Sequence, residues 1–308
     1  MPLNATLLVN SAARGVSASF DGSKLTRYLA RHDCETRLVL PASAADATRE
    51  ARRSAERGDD LLFVVGGDGS VRDAALGLAG SETALAAVPA GTVNIWAKES
   101  GIPKGIRASL DAHLAGQSVH MDLGRAGDSC FLLMAGVGWD AAIANRVSKR
   151  LKKATGDIAY MAQAAWMAPR LRAHEARWRA GNECFDEPLA WMVLSNTRLY
   201  GGKVRLTPKA VIDDGQLDAL AMCPRGFADT ARLATKIILG KRSDDRFIER
   251  RVSEVVIETP GLAVQLDGDF VGETPMKFTV EPRSLLVSVS GGVLAPIFSG
   301  VHIDRRKP

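Results

Sequence analysis

Cysteine is scarce in this 308-residue chain, and what there is does not pair. Cys34, Cys130, Cys184 and Cys223 are widely scattered, with no C-x-x-C among them. That spacing argues against a disulfide framework or a zinc site and fits a reducing compartment. No stretch approaches the roughly 20 uncharged apolar residues that a membrane-spanning helix needs. The first residues, Met1-Pro2-Leu3-Asn4-Ala5-Thr6, lack a charged segment followed by a long apolar one, so secretion is not expected and a cytoplasmic location is. There is no low-complexity tract and no short-period repeat. The five histidines, His32, His113, His120, His174 and His302, show no metal-ligand spacing and read as surface or core residues. The formal net charge of +5 is mild: it permits attraction to an anionic surface and requires none. No nucleic-acid partner is indicated, and homodimer formation is left open.

Against this background the run Gly66-Gly67-Asp68-Gly69-Ser70 stands out. It follows a continuous apolar stretch, Leu61-Leu62-Phe63-Val64-Val65, and precedes a helical pattern. A buried strand that breaks into glycines and reopens as a helix aims backbone N–H groups at whatever lies above it. Phosphate suits that geometry, because glycine permits close backbone approach and a helix N-terminus favours negative charge. A carboxylate in the same loop points to Mg²⁺ beside the phosphates, since an unneutralised Asp would repel them. An ordinary tight turn at a strand end is the plainer alternative. No Gly-Lys-Ser/Thr follows, so the loop is not a P-loop, and it is not a G-x-G-x-x-G dinucleotide loop.

The first third of the chain alternates short apolar runs with helical patterns. Strands are expected at Thr6–Val9, Arg37–Leu40, Leu61–Val65 and Ala84–Val88. Helices are expected at Ser23–Arg31, at Asp46–Arg57 with Gly58 as its C-cap, and from the glycine loop through Leu78. This alternation predicts an α/β domain with a parallel sheet, in which ligands sit beyond the carboxyl ends of the strands. After about residue 122 the texture changes. Helical patterns at Ala141–Lys153 and Asp157–Arg172 lead into short strands joined by Gly, Pro and Asp turns: Ala190–Leu194, Leu217–Met222, Val252–Thr259, Leu262–Leu266, Lys277–Val280 and Leu285–Val289. Such a series predicts a mainly antiparallel β-sandwich. The expected domains are therefore 1–122 and 123–308, with the last residues free to pack back on the first domain and a cleft between the two.

A second loop, Pro89-Ala90-Gly91-Thr92-Val93-Asn94, directly follows the Ala84–Val88 strand. The Thr92 hydroxyl and the Asn94 amide can bond a nucleotide's phosphate or sugar, although a Thr-capped Pro-Ala-Gly turn is about as good an account of this segment alone. On the strand neighbouring the first loop it becomes a second wall of one site. With these two motifs the chain resembles the diacylglycerol kinase catalytic family, which includes bacterial lipid kinases, sphingosine kinases and ceramide kinases. The resemblance runs nearly end to end. Asn10-Ser11 stands where that family has Asn-Pro, Gly66–Ser70 matches its G-G-D-G-T loop, and Pro89–Asn94 matches its P-x-G-T-x-N segment. Asp122-Leu123-Gly124, then Gly201-Gly202 with Pro208 and Asp214–Asp218, then Asp267-Gly268-Asp269 with Thr274-Pro275 follow in the family's order.

The resemblance implies an ATP-binding α/β domain, a β-sandwich lipid-substrate domain, and transfer of the ATP γ-phosphoryl group to a lipid hydroxyl. It assigns Asn10, Gly66, Gly67, Asp68, Gly69, Ser70, Gly91, Thr92 and Asn94 to ATP, and Asp68 to Mg²⁺. Asp269 falls where the family has a Glu that accepts the proton; Asp267 is the alternative base or a Mg²⁺ partner, and a solvated hairpin turn the alternative for both. Asp214, with the carbonyls of Val211 and Gln216, resembles a structural Mg²⁺ or Ca²⁺ site, which a plain Asp-Gly turn would explain nearly as well. Ser43 alone could replace a Thr with which these enzymes touch the nucleotide. Arg146, Lys149, Arg150, Lys152, Lys153, Arg170 and Arg172 crowd the two helical patterns. They form either a solvated face or a surface for anionic headgroups, which would make membrane association peripheral and transient. An NAD kinase-like small-molecule kinase and a catalytically inactive lipid-binding protein are the rival readings.

Overall fold

A computed structural model describes residues 2–16, 21–139, 141–142, 173–202, 204–300 and 303–304. The cations expected at positions 146–172 lie outside the described residues, as do the helical patterns there beyond positions 141 and 142. The chain divides into two compact units. One comprises Met1–Leu123, Val211–Gly215 and Glu281–Pro308, and the other Gly124–Ala210 and Gln216–Val280.

The first unit alternates β1 (Leu3–Val9), α1 (Gly22–Ala30), β2 (Cys34–Val39), α2 (Ala44–Glu56), β3 (Leu61–Gly66), α3 (Asp68–Leu78) and β4 (Ala84–Pro89). Two further helices, α4 (Ile95–Glu99) and α5 (Ile106–Leu114), precede β5 (Gln117–Ala126). The strands pair in parallel in the order β2-β1-β3-β4. Every residue of β3 is buried, as a strand covered on both faces must be. Caps set the helix starts. The Asp21 carboxylate accepts the Ser23 N–H at 3.0 Å, and the Ser43 hydroxyl accepts the Asp46 N–H at 3.1 Å while Asp46 accepts the Ala42 N–H at 2.9 Å. Ser43, the candidate nucleotide contact, is thus occupied as a helix cap. Helices α2 and α3 approach backbone to backbone: a β-carbon at Gly77 would lie 2.3 Å from the Thr48 carbonyl oxygen, so only glycine fits.

Two buried polar groups in this unit hold neighbouring elements in place through several bonds each. Asp59 accepts from the hydroxyls of Ser54 (2.6 Å) and Thr6 (2.7 Å) and from the Arg57 guanidinium (3.0 Å). Burial alone would raise its carboxyl pKa, but these donors together hold it below the usual value. His113 is a core residue, its ring between the Ala87 carbonyl and the Ser288 hydroxyl.

The second unit is a β-sandwich. Its strands are β6 (Ser129–Phe131), β7 (Met134–Gly138), β8 (His174–Ala180), β9 (Glu183–Leu189), β10 (Trp191–Ser195), β11 (Leu199–Tyr200), β12 (Val204–Arg205) and β13 (Leu217–Met222). Helix α6 (Phe227–Ile238) then precedes β14 (Phe247–Val252), β15 (Glu254–Ile257), β16 (Ala263–Leu266), β17 (Asp269–Glu273) and β18 (Met276–Val289). One sheet runs β14-β13-β10-β7-β16-β17, all antiparallel. In the other layer β15 pairs with β8 and with the first part of β18, and β8 with β9. Their inner faces share one core, in which Trp178 stacks on Phe185 at 4.0 Å. The runs expected at Lys277–Val280 and Leu285–Val289 are one strand, β18. It continues through Arg283 at φ 54°, and its residues from Glu281 onward belong to the first unit. The run expected over Val252–Thr259 breaks at Ser253 into β14 and β15.

Candidate active site

Strand β3 ends at Gly66 and α3 begins at Asp68, with Gly67 between them as N-cap. Glycine brings no side chain to cap the helix, so its first N–H groups are left for a ligand. A β-carbon on Gly69 would meet nothing within 4 Å; the space above the helix start is open. The second loop closes on the first. The Ala90 N–H donates to the Gly66 carbonyl at 2.8 Å, and a β-carbon on Gly91 would lie only 2.6 Å from the Gly67 Cα. Both motifs line one small recess of about 10 Å³, room for about one water, with Gly66, Gly67, Asp68, Pro89 and Asn94 in its walls. The two loops, 20 residues apart in the chain, are therefore a single structure.

Side chains lock it. Asn10 donates through Nδ2 to the Ser70 hydroxyl at 2.8 Å and accepts the Ala12 N–H at 2.9 Å, tying the end of β1 to the start of α3. Asn94 lies in the left-handed region at φ 51°. It accepts the Gly91 N–H through Oδ1 and donates through Nδ2 to the Gly91 carbonyl, both at 2.9 Å, which fixes the loop's shape. Thr92 is exposed, and its hydroxyl makes no hydrogen bond among the described residues.

Asp68 behaves differently from the sequence expectation of a carboxylate serving phosphate and metal alone. Its Oδ2 accepts the Ile95 N–H and its Oδ1 the Trp96 N–H, each at 3.0 Å, so it also caps α4. Burial is the largest influence on its carboxyl and raises the pKa, against the pull of those two N–H groups and of Lys98. A largely buried carboxylate desolvated in this way is a site that a cation would relieve. The donor set fits a Mg²⁺ ion held by one carboxylate plus phosphate and water oxygens.

Asp267 and Gly268 form a two-residue turn between β16 and β17, and Asp269 follows it. Both turn residues have positive φ, 49° at Asp267 and 87° at Gly268, with Leu266 paired to Asp269. The Asp267 carboxylate is not solvated: it accepts the N–H groups of Leu132 (2.8 Å), Leu133 (2.9 Å) and Met134 (3.0 Å), and its own N–H donates to the Met134 carbonyl. Asp269, at the first position of β17, is partly exposed.

Sequence reasoning assigned Asp122 to a motif but gave it no task. The structure makes it a fully buried carboxylate that accepts the Gly215 N–H at 2.6 Å and the Arg283 N–H at 2.7 Å. Burial, with Asp214 and Asp213 adding like charge, raises its pKa above the usual carboxyl value despite those two bonds. Asp213 is itself held by the Ser299 N–H and hydroxyl. Asp214 lies in the same loop, half-buried like Val211, and Gln216 follows it in the chain; no group of three or more His, Cys, Asp or Glu side chains that could hold a metal ion occurs among the described residues. Asp122→Ala strands two N–H groups, at about 1–3 kcal/mol each. Urea unfolding should show a loss of several kcal/mol, and a change below about 1 kcal/mol would contradict the role.

Comparison with known proteins identifies the family. The family model for the diacylglycerol kinase catalytic domain matches residues 4–126, and that for the YegS C-terminal NAD kinase beta sandwich-like domain matches residues 134–289. A Pseudomonas putida protein named "Probable lipid kinase YegS-like" is 31% identical over 261 residues, covering 83% of this chain and 85% of its own. A Bacillus subtilis protein named "Diacylglycerol kinase" is 29% identical over 251 residues, covering 79% and 82%. A crystal structure titled as a diacylglycerol kinase from Bacillus anthracis superposes with a TM-score of 0.72 at 18% identity, over 94% of this chain and 97% of that one, and shares the fold. With both family domains matched in order and a relative of this similarity spanning most of its length, the chain belongs to the diacylglycerol kinase catalytic-domain family of lipid kinases.

Proposed function

We propose that the chain binds ATP at the joined Gly66–Ser70 and Pro89–Asn94 loops and transfers its γ-phosphoryl group to a hydroxyl of diacylglycerol or a related lipid. The carrying observation is the backbone contact between Gly67 and Gly91, which sets two loops around the uncapped start of α3. On this reading the N–H groups at the start of α3 take phosphate oxygens. Thr92 offers its hydroxyl to the nucleotide, and Asn94 keeps the second loop in shape. Asn10 and Ser70 brace the first loop from below. Mg²⁺, when bound, would neutralise phosphate charge, and Asp68 is the residue that would hold it. Asp269 accepts the proton of the lipid hydroxyl, because the oxygens of Asp267 are already committed to three backbone donors. The Asp214 loop, with the Val211 and Gln216 carbonyls, serves a structural cation. The enzyme works in the cytoplasm and visits the membrane surface to reach its substrate.

The test is transfer of label from [γ-³²P]ATP to a total lipid extract and, separately, to NAD, with mass spectrometry of the product. Label in a phosphorylated lipid is expected. Label in NAD alone would favour the small-molecule kinase, and nucleotide binding with no transfer to any lipid would favour an inactive lipid-binding protein.

A further inference from the structure

Helix α6 is apolar on the face it turns to solvent. At about 100° per residue, Phe227, Ala231, Thr235, Ala228 and Leu239, the C-cap, fall within an arc of about 120°. All five are exposed, Phe227 and Leu239 to 63% each. The opposite side is the packed one, with Leu233 and Thr230 buried. A surface helix normally carries its charges outward, and this one is apolar on both sides. Its own cations lie on one flank: Arg232 and Lys236 both pair with Asp244.

The charges left over gather at the helix ends. Arg225 precedes α6, and Lys241 and Arg242 follow it. None of the three, nor Lys209, makes an ion pair among the described residues. Residues 225–242 carry five basic and one acidic side chain, a net of +4. Arg242 and Lys209 also line a depression of about 400 Å³, with Thr207 and Glu249 and with Asp218 facing Arg251 at 3.7 Å.

From this combination we infer that α6 is an interfacial docking helix: Phe227 and Leu239 enter the outer layer of an anionic bilayer while Arg225, Lys209, Lys241 and Arg242 meet phospholipid phosphates. Apolar side chains facing outward between cations that have no carboxylate partner among the described residues, Arg242 donating only to the Arg205 carbonyl at 2.9 Å, are the pattern of helices that lie in a membrane surface. Among the described residues no helix is long and apolar enough to cross a membrane, so the contact is peripheral. The inference rests on the lipid-kinase reading for its purpose but not for its test.

Co-flotation of the full chain, without ATP, should recover it with phosphatidylcholine vesicles containing phosphatidylglycerol and not with phosphatidylcholine alone. The pair Phe227→Ser and Leu239→Ser should lower that partition at least about tenfold, since burying such side chains is worth about 1.5–3 kcal/mol each. Phe227→Trp should keep it. Lys209→Glu and Lys241→Glu should each weaken partition about fivefold or more at low salt and much less at high salt. Turnover on short-chain diacylglycerol dispersed in detergent should be unchanged in all of these. A parent protein that ignores anionic vesicles, or a Ser pair that binds them as the parent does, overturns the docking helix. So does a Ser pair that splits a dimer in sedimentation and leaves vesicle partition intact, which would make the face a contact with a second copy. Vesicle binding lost in the Ser pair, in a protein that phosphorylates no lipid, would sustain the docking helix and remove the kinase reading instead.

Discussion

Asp68→Ala is expected to bring lipid phosphorylation below detection and, at the same time, to cost the fold about 1 kcal/mol. The two losses have different origins. Loss of turnover follows, on the proposed reading, from removing the carboxylate that would hold Mg²⁺ against the phosphates, in a reaction that depends on positioning and charge neutralisation. Loss of stability follows from the cap: the N–H groups of Ile95 and Trp96 lose both acceptors, and a missing helix cap typically costs about 0.5–2 kcal/mol. Asp68→Asn separates them. The amide oxygen can still accept one of the two N–H groups, so part of the stability should return while turnover stays at background. Guanidinium unfolding and a label-transfer assay, run on the same preparations, check both. An Asp68→Asn enzyme with near-normal turnover would show that the negative charge is not needed and would remove Asp68 from the site.

Asp269→Asn is expected to lower turnover by about 10²–10⁴-fold, the usual size of general-base loss, with little change in ATP affinity or in unfolding midpoint. The same change at Asp267 should look quite different. Asn offers one acceptor oxygen where the carboxylate's two serve the N–H groups of Leu132, Leu133 and Met134. Asp267→Asn should therefore shift the unfolding midpoint first, and its activity should fall only as far as its folded fraction. Asp269→Glu, which keeps the carboxylate on a side chain one methylene longer, should retain part of the activity if the site accommodates the added length. A stable but inactive Asp267→Asn protein, paired with a fully active Asp269→Asn, would move the proton acceptor two residues upstream.

Much of this protein was written plainly in its sequence. The continuous apolar run Leu61–Val65 reads as a buried strand, and the glycines after it as a loop suited to close approach, with an ordinary tight turn as the alternative. Together they announced a parallel strand that turns through glycine into a helix, which is what β3 and α3 form. Local chemistry also set the Asp267-Gly268 turn, because an Asp-Gly pair tolerates the positive φ that a two-residue hairpin demands. Helix α6 and strands β8, β9 and β14 were passed over, although the alternation of buried Ala176, Trp178 and Ala180 with charged neighbours was there to be read. What the sequence could not disclose was where the carboxylates point. Asp68 bonds 27 and 28 residues ahead, Asp267 bonds back by more than 130, and Asp122 joins Gly215 to Arg283. An acidic residue in a motif looks the same whether it awaits a metal or holds a backbone turn. The choice is made by which N–H groups the folded chain brings within 3 Å of it, and those come from segments far away along the chain, where local pattern has no reach.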